Sequence, residues 1–418
     1  MTRSQPNIPP EIIQQIFAIF STPLSTFDLR QFPWVLGHVC SAWRHIFLSM
    51  TIEFWDSISV IFFERGYKHP LDIIRFFLER DQEAPFSLHV HAPYNLSQIN
   101  RRAADHMRRA MKMLASKSMR WKKASFDLSP HDMLLLTGAK DHLPLLQEIE
   151  LSWVPAEGMP DPPYETFHNA PSLNIVNIKC LGDWKFNLLN LKEFSVGSLE
   201  SGASNFIATL PQMTKLERLG LGCSPDPAIS LNTIILPNLT RLSCHADWLH
   251  YLNTPALEDL FVNYYEDPNP INIVPTFLHG SSCGLKIVRL GMASTGAATA
   301  VEIIRCTPRI THLHLISIRN IGDVLKQLTI STNPAQGPLA RHLLSFSLYI
   351  YDADDDHMDL LFAMLSSRTI STAANNGDCA RIQKLDVGGH LYKVSRFAKR
   401  KIAALCTERG VQYECNDI

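Results

Sequence analysis

Residues 352–356 read Asp-Ala-Asp-Asp-Asp, the spacing with which a calcium-binding loop begins. Such a loop needs a glycine at its sixth position for a sharp turn and a bidentate glutamate at its twelfth, where this chain has His357 and Ala363. The aspartates are therefore expected to lie in a solvated loop and to cap a helix over residues 358–365, favouring its positive end. His89 and His91 share one face of a predicted strand, but with no nearby cysteine or acidic third ligand they make no zinc site. Nine cysteines are scattered without a single C-x-x-C pair, which reads as reduced, mostly buried, small apolar residues. No G-x-x-x-x-G-K-[ST], H-E-x-x-H or G-x-S-x-G stretch occurs, and Gly220-Leu221-Gly222 lacks the remainder of a dinucleotide fingerprint. Cys415 stands where a prenylated cysteine would, yet Asn416 and Asp417 are not aliphatic. The sequons at Asn95 and Asn238 carry no meaning in a chain read as cytosolic. No catalytic residue, metal ligand or cofactor site is assigned, and the expectation is a protein that acts by binding rather than an enzyme.

Composition agrees with a folded binder. With 39 Lys+Arg against 40 Asp+Glu, a net charge of −1 and 46% apolar residues, the chain can bury a large core and has no global attraction to nucleic acid or anionic lipid. The one basic stretch, residues 101–123, holds nine Lys/Arg against one Asp, arranged mainly around a helix whose other face offers Ile99, Ala103, Ala110 and Leu114. It reads as a solvated helix face. It lacks the interleaved aromatics of a base-stacking platform, so nucleic acid is not expected as a partner, and an acidic protein is the remaining use. The first residues lack a signal-peptide apolar core, and no run approaches the ~18 apolar residues of a membrane span. The expectation is a soluble protein of the cytoplasm and/or nucleus, without membrane contact.

Two sets of elements must present whatever surface does the binding. Residues 8–20 place Pro9 and Pro10 in a first helical turn, where a missing N–H costs little, and then repeat apolar residues at helical spacing. One stripe is Ile12, Ile16 and Ile19 and the other Ile13, Phe17 and Phe20, so one face can pack internally while the second stays free. Residues 34–40 and 42–48 predict two further short helices carrying Val35, Leu36, Val39, Trp43, Ile46 and Phe47. Three such helices bury too little surface to be comfortable alone.

These residues carry a resemblance. Ile8-Pro9-x-Glu11-Ile12-Ile13-x-x-Ile16-Phe17, then Val39-Cys40-x-x-Trp43-Arg44, then Phe54-Trp55-x-x-Ile58 resemble, in order and spacing, the F-box motif. The resemblance is closest to the F-box proteins abundant in mushroom-forming fungi, which join a short amino-terminal F-box to leucine-rich repeats. It implies that the helices dock on the Skp adaptor of a Skp-cullin-F-box ubiquitin ligase and that the remaining chain holds a protein client. Carried over residue by residue, Ile8, Pro9, Ile12, Ile16, Val39 and Trp43 would face the adaptor. Ile8 stands where the family more often has Leu, a volume-conserving departure.

From residue 55 onward a second pattern, apolar-x-x-apolar-x-apolar, recurs, commonly preceded by Pro-x or Pro-x-x. Clear copies begin at Leu146, Leu173, Leu191, Leu216, Leu239, Leu257, Leu285, Ile310, Leu343 and Ile382, and weaker ones at Trp55, Pro85 and Trp121. These starts lie on average about 27 residues apart, within the ~20–29 of leucine-rich repeats. The last two apolar positions belong on the inner side of a short strand and the residue between them on the outer side. The expected fold is α/β: an F-box over residues 5–54, then an irregular leucine-rich-repeat solenoid over 55–418. Its repeats are weak over 55–145 and clearer over 146–390, with a cap over 391–418, parallel strands on the concave face and helices or loops on the convex face. The inter-apolar ladder of Glu150, Asn177, Ser195, Gly220, Ser243, Phe261, Arg289, His314, Ser347 and Asp386 is the expected partner surface. Phe261, Tyr264, Arg289, His312 and His314 are its best client-contact cluster, since aromatic and Arg side chains favour interfaces; the bland reading is that Phe261 and Tyr264 pack on neighbouring loops. An alternative reading keeps the repeats as a non-ligase interaction scaffold whose F-box-like helices only cap the array.

Overall fold

The computed structural model describes residues 8–19, 24–25, 34–50, 55–62, 70–80, 83–93, 96, 100–153, 165–181, 184–198, 207–225, 233–264, 273–292, 296–318, 320–330, 339–350, 353–369, 379–389, 391 and 393–417. The chain is α/β and forms two compact units, Met1–Ala203 and Ser204–Ile418. In the first, strands β1 (Leu24–Ser25), β2 (Ser57–Ile61), β3 (Phe86–His91), β4 (Trp121–Asp127), β5 (Glu148–Ser152), β6 (Ile175–Cys180) and β7 (Glu193–Ser198) pair in chain order. The second contains β8 (Arg218–Leu221), β9 (Ile234–Ile235), β10 (Arg241–His245), β11 (Leu252–Asn253) and β12 (Asp259–Tyr264). It continues with β13 (Ile287–Met292), β14 (His312–Ile316), β15 (Ser345–Ile350), β16 (Lys384–Gly389) and β17 (Gln412–Asp417). There β9 and β11 pair with each other and the remaining strands pair in chain order. Within each unit, every pairing among the described residues is parallel.

Alternation with period two puts the two apolar residues of each strand on one side, and register stacks them into columns. In the first unit Ile58, Leu88, Ala124, Ile149, Val176 and Phe194 lie opposite one another in succession, with Val60, Val90, Phe126, Leu151, Ile178 and Val196 two positions on. In the second unit the columns are Leu219, Leu242, Leu260, Val288, Leu313, Phe346, Leu385 and Leu221, Cys244, Val262, Leu290, Leu315, Leu348, Val387. All are buried. A fully buried side chain of this size stabilises by roughly 1.5–3 kcal/mol, but only where its neighbours close the column over it.

The leading apolar residue of a strand also closes the turn before it. The amides of Leu146, Leu173, Leu191, Leu216, Leu239, Leu257, Ile310 and Leu343 each donate to the carbonyl three residues back. Proline stands second in several of these turns, at Pro144, Pro171, Pro237, Pro255 and Pro308, where its fixed φ is already correct. This is the physical content of the Pro-x prefix.

Helices follow the strands: Pro70–Arg80, Arg101–Ala115, Ile273–Ser281, Ala297–Cys306, Ile321–Leu328, Asp355–Thr369 and Arg396–Arg409. The helix expected over residues 358–365 is part of the longer Asp355–Thr369. Asp354 caps Asp355–Thr369 by accepting the His357 N–H at 3.0 Å, as its place before the helix implied. None of the described helices is long and apolar enough to cross a membrane.

Carbonyls left open at three helix ends, and others in non-helical backbone further on, are taken by arginines from later in the chain. Arg80 donates to the Leu48 and Met50 carbonyls at the end of the helix Ser41–Ser49. Arg120 donates to those of Leu78 and Ala84, at 3.3 and 2.7 Å. Arg368 donates to the carbonyls of Leu328 at 2.8 Å, Ala340 at 3.1 Å and Leu339. Arg120 therefore departs from the expectation of a solvated basic face: it is buried, with its guanidinium over the Phe86 ring. The helix ends at Ala115, and Lys122 and Lys123 project from β4. Ala103, Ala110 and Leu114 do form the helix's buried face, while Ile99 lies outside the described residues.

Candidate partner-docking surfaces

The amino-terminal helices are Pro10–Ile19, Leu36–Val39 and Ser41–Ser49. The first starts on Pro9, whose carbonyl accepts the amides of Ile12 and Ile13. The third is capped by the Cys40 sulfur, 3.5 Å from the Trp43 N–H, and Arg44 Nε donates to the Gly37 carbonyl at 2.8 Å, tying it to the second. The two stripes of the first helix part company. Ile13 and Phe17 are 7% and 1% exposed, and Phe17 meets Trp43 edge to face with ring centres 5.3 Å apart. Ile12, Ile16 and Ile19 are 44%, 42% and 77% exposed, and Val39 is 56% exposed. Ile8 and Pro9 are exposed too. Trp43 is half-buried, with its ring against that of Phe17. Behind them Leu36, Ile46, Phe47 and Met50 are buried. The Phe47 and Trp55 rings lie 4.9 Å apart, and the Arg80 guanidinium sits 4.3 Å above Trp55. The helices are thus seated on the sheet unit through one face while the isoleucine stripe is left to solvent. Phe20 and Phe54, which the sequence reading included, lie outside the described residues.

The second surface is the outer side of the strands. Register aligns Glu150, Asn177 and Ser195 in the first unit, with Ser125 before them, and Gly220, Ser243, Phe261, Arg289, His314, Ser347 and Asp386 in the second, the register expected of the ladder; Ser347, however, is buried and offers no partner surface. Phe261, Arg289 and His314 are direct cross-strand neighbours, whereas His312 lies two residues below His314, opposite Ile287 and Ser345. The Tyr264 side chain lies outside the described residues.

Two features of this cluster were not read from the sequence. Arg289 is not a free anchor: it and Arg241 converge on Asp259 Oδ2 at 2.8 and 2.9 Å, and the Asp259 side chain is only 6% exposed. The signal was available, because Arg241 and Asp259 occupy the position two residues before the ladder on adjacent strands. Burial pulls the pKa of His314 down, and the Arg289 charge and His312 push the same way, so His314 favours the neutral form. The other feature is the seating of the rings. A Cβ on Gly291 would stand 3.3 Å from the Phe261 ring and one on Gly388 2.4 Å from that of Tyr349, so each ring leans over the bare backbone of the neighbouring strand. Phe261 is spent partly on that contact.

In the first unit the Ser125 hydroxyl donates to Glu150 Oε2 at 2.9 Å and lies 3.0 Å from His89 Nδ1, while His91 Nδ1 is 2.7 Å from Asp127. With its proton directed to Glu150, Ser125 is not set up as the nucleophile of a Ser-His pair. Among the described residues no group of three or more His, Cys, Asp or Glu is arranged to hold a metal ion. In comparisons with known proteins, the chain matches no family model and no curated sequence.

Proposed function

We propose that the chain is the substrate-recognition subunit of a Skp-cullin-F-box ubiquitin ligase, with an amino-terminal F-box, a leucine-rich-repeat solenoid and no catalytic residues of its own. The resemblance of residues 8–58 to the F-box motif motivates the reading. The observation that carries it is the exposed stripe of Ile12, Ile16 and Ile19 on a helix whose opposite face is buried. A cap serving only the array would turn both stripes inward, and contiguous exposed apolar side chains mark an interaction surface. In this reading Ile8, Pro9, Ile12, Ile16 and Val39 meet the Skp adaptor directly. Trp43 supports them from behind, and the outer face of the strands holds the client. The subunit then works by tethering, which raises the client's effective concentration at the ubiquitin-charged enzyme.

The test is calorimetric titration of the full-length chain with the Skp adaptor, alongside an Ile16→Asp variant. An exposed substitution on the free chain leaves the fold intact by circular dichroism. At a buried interface, loss of the isoleucine at roughly 1.5–3 kcal/mol plus desolvation of a carboxylate weakens binding by a factor of about 100 or more. Folded wild type that shows no adaptor binding would instead favour a non-ligase repeat scaffold with F-box-like helices.

A further inference from the structure

The turns that precede the strands are not alike in what their tips do. Three tips in the third turn position are tied to the turn before. Ser172 Oγ donates to the Pro144 carbonyl at 2.7 Å, Asn190 Nδ2 to that of Pro171 at 3.2 Å and Asn238 Nδ2 to that of Thr214 at 2.8 Å. In the turns leading to β14 and β15 the same position is held by Arg309 and His342, with Arg341 beside the latter. Arg381 stands at the same offset before β16, since His312, Ser345 and Lys384, each three residues further on, are cross-strand partners. All four side chains are exposed.

Cations elsewhere on these strands are matched by carboxylates across the ladder: Lys286 to Glu258 at 2.7 Å, Lys384 to Glu414 at 3.2 Å, and Arg241 and Arg289 to Asp259. Among the described residues Arg309, Arg341 and Arg381 have no such partner. We propose that this row of turn tips is a docking surface for an acidic polypeptide segment, a run rich in Asp and Glu. The proposal is independent of whether the amino-terminal helices engage an adaptor.

Geometry and charge favour that occupant. Neighbouring parallel strands lie about 4.8 Å apart, so Arg309 and Arg381 are offset by about 10 Å with Arg341 and His342 between them. An acidic run supplies carboxylates at similar intervals, about 6.6–7 Å for alternate residues of an extended chain and about 5–6 Å along a helix face. Guanidinium groups bind carboxylates through paired hydrogen bonds. A nucleic acid fits less well. The row and its flanking residues Pro308, Ala340 and Ala380 offer no Phe, Tyr or Trp on which successive bases would stack.

The experiment is fluorescence anisotropy with a labelled ten-residue polyglutamate peptide on the full-length chain at low salt. The same is done with a variant carrying Arg309→Ser, Arg341→Ser and Arg381→Ser, and with a control carrying Arg101→Ser, Arg102→Ser and Arg109→Ser on the helix Arg101–Ala115. A thymidine decanucleotide is the second probe. The expected result is peptide binding that weakens about tenfold in the turn-tip variant, stays near wild type in the control and fades with salt. A single Arg381→Glu change, which leaves the other tips intact, gives a loss in the same direction. The proposal fails if the peptide does not bind at low salt, if turn-tip and control variants lose equally, or if the oligonucleotide binds more tightly than the peptide.

Discussion

Arg368 offers the most direct test of how successive segments of the second unit are held together. Its guanidinium is buried and takes the carbonyls of Leu328, Leu339 and Ala340, joining the end of the helix Ile321–Leu328 to the turn that opens β15. Substituting Arg368→Met keeps the apolar stem and removes every donor. Hydrogen bonds from a charged donor contribute about 1.5–3 kcal/mol each, so three of them amount to a gross loss of about 4.5–9 kcal/mol. Against this, the wild-type guanidinium has been taken out of water, which draws its pKa down and costs several kcal/mol that the methionine does not. The net loss is about 3 kcal/mol. For a unit of this size a melting midpoint moves by about 2–4 °C per kcal/mol, so the transition of the second unit falls by about 6–12 °C.

Hydrogen exchange localises the loss. The Thr329 amide, which donates to the Leu325 and Lys326 carbonyls at 3.0 and 3.2 Å, and the amide of Leu343, which closes the turn at Ala340, should exchange faster, while the first unit keeps its protection. A midpoint within about 1 °C of wild type, with unchanged protection at residues 321–330, would refute the reasoning.

Two further expectations concern backbone geometry and charge. Gly389 has φ +114°, and a Cβ there would stand 2.1 Å from the Ile350 carbonyl oxygen, so Gly389→Ala should cost at least about 2–3 kcal/mol. Gly410, at φ +64° with open space around it, should lose only about 1–2 kcal/mol as alanine; equal melting temperatures for the two variants would contradict the steric argument. Glu165 accepts hydrogen bonds from Lys140 at 2.9 Å and Lys185 at 3.1 Å, which hold its carboxyl at about 2. Because that value lies below the unfolded one, its contribution is present above the ordinary carboxylate range and is lost as pH falls toward 2. A carboxyl-carbon NMR titration should show the low midpoint, and Lys140→Met should raise it; a wild-type midpoint near 4.3 would contradict the pairing.

The columns, the ladder and the two stripes of the first helix were legible because they follow from periodicity: a period of two or 3.6 records which side chains turn inward. The fates of individual cations were not legible in that way. Arg120 and Arg109 belong to the same basic run, yet one is buried on carbonyls 42 and 36 residues earlier and the other faces solvent. Arg289 looked like an interface anchor by residue type, but its position beside Asp259 depends on pairing between strands about 30 residues apart. The seats for the Phe261 and Tyr349 rings were missed for a related reason, since Gly291 and Gly388 do their work by lacking a side chain and so leave no mark in a hydropathy pattern.

The arginines that close helix ends also impose an order on biosynthesis. Arg368 lies 40 residues after the Leu328 carbonyl it holds, Arg120 lies 42 after Leu78 and Arg80 lies 32 after Leu48. A ribosome moving at about 5–20 residues per second needs about 2–8 seconds to supply the donor for a helix end it has already made. During that interval the newest helix has its final carbonyls open to water or to a chaperone, and only the following segment can finish it. At these three places the chain is completed only by a later segment, and a stall just before Arg368 would leave the helix Ile321–Leu328 as the incomplete end.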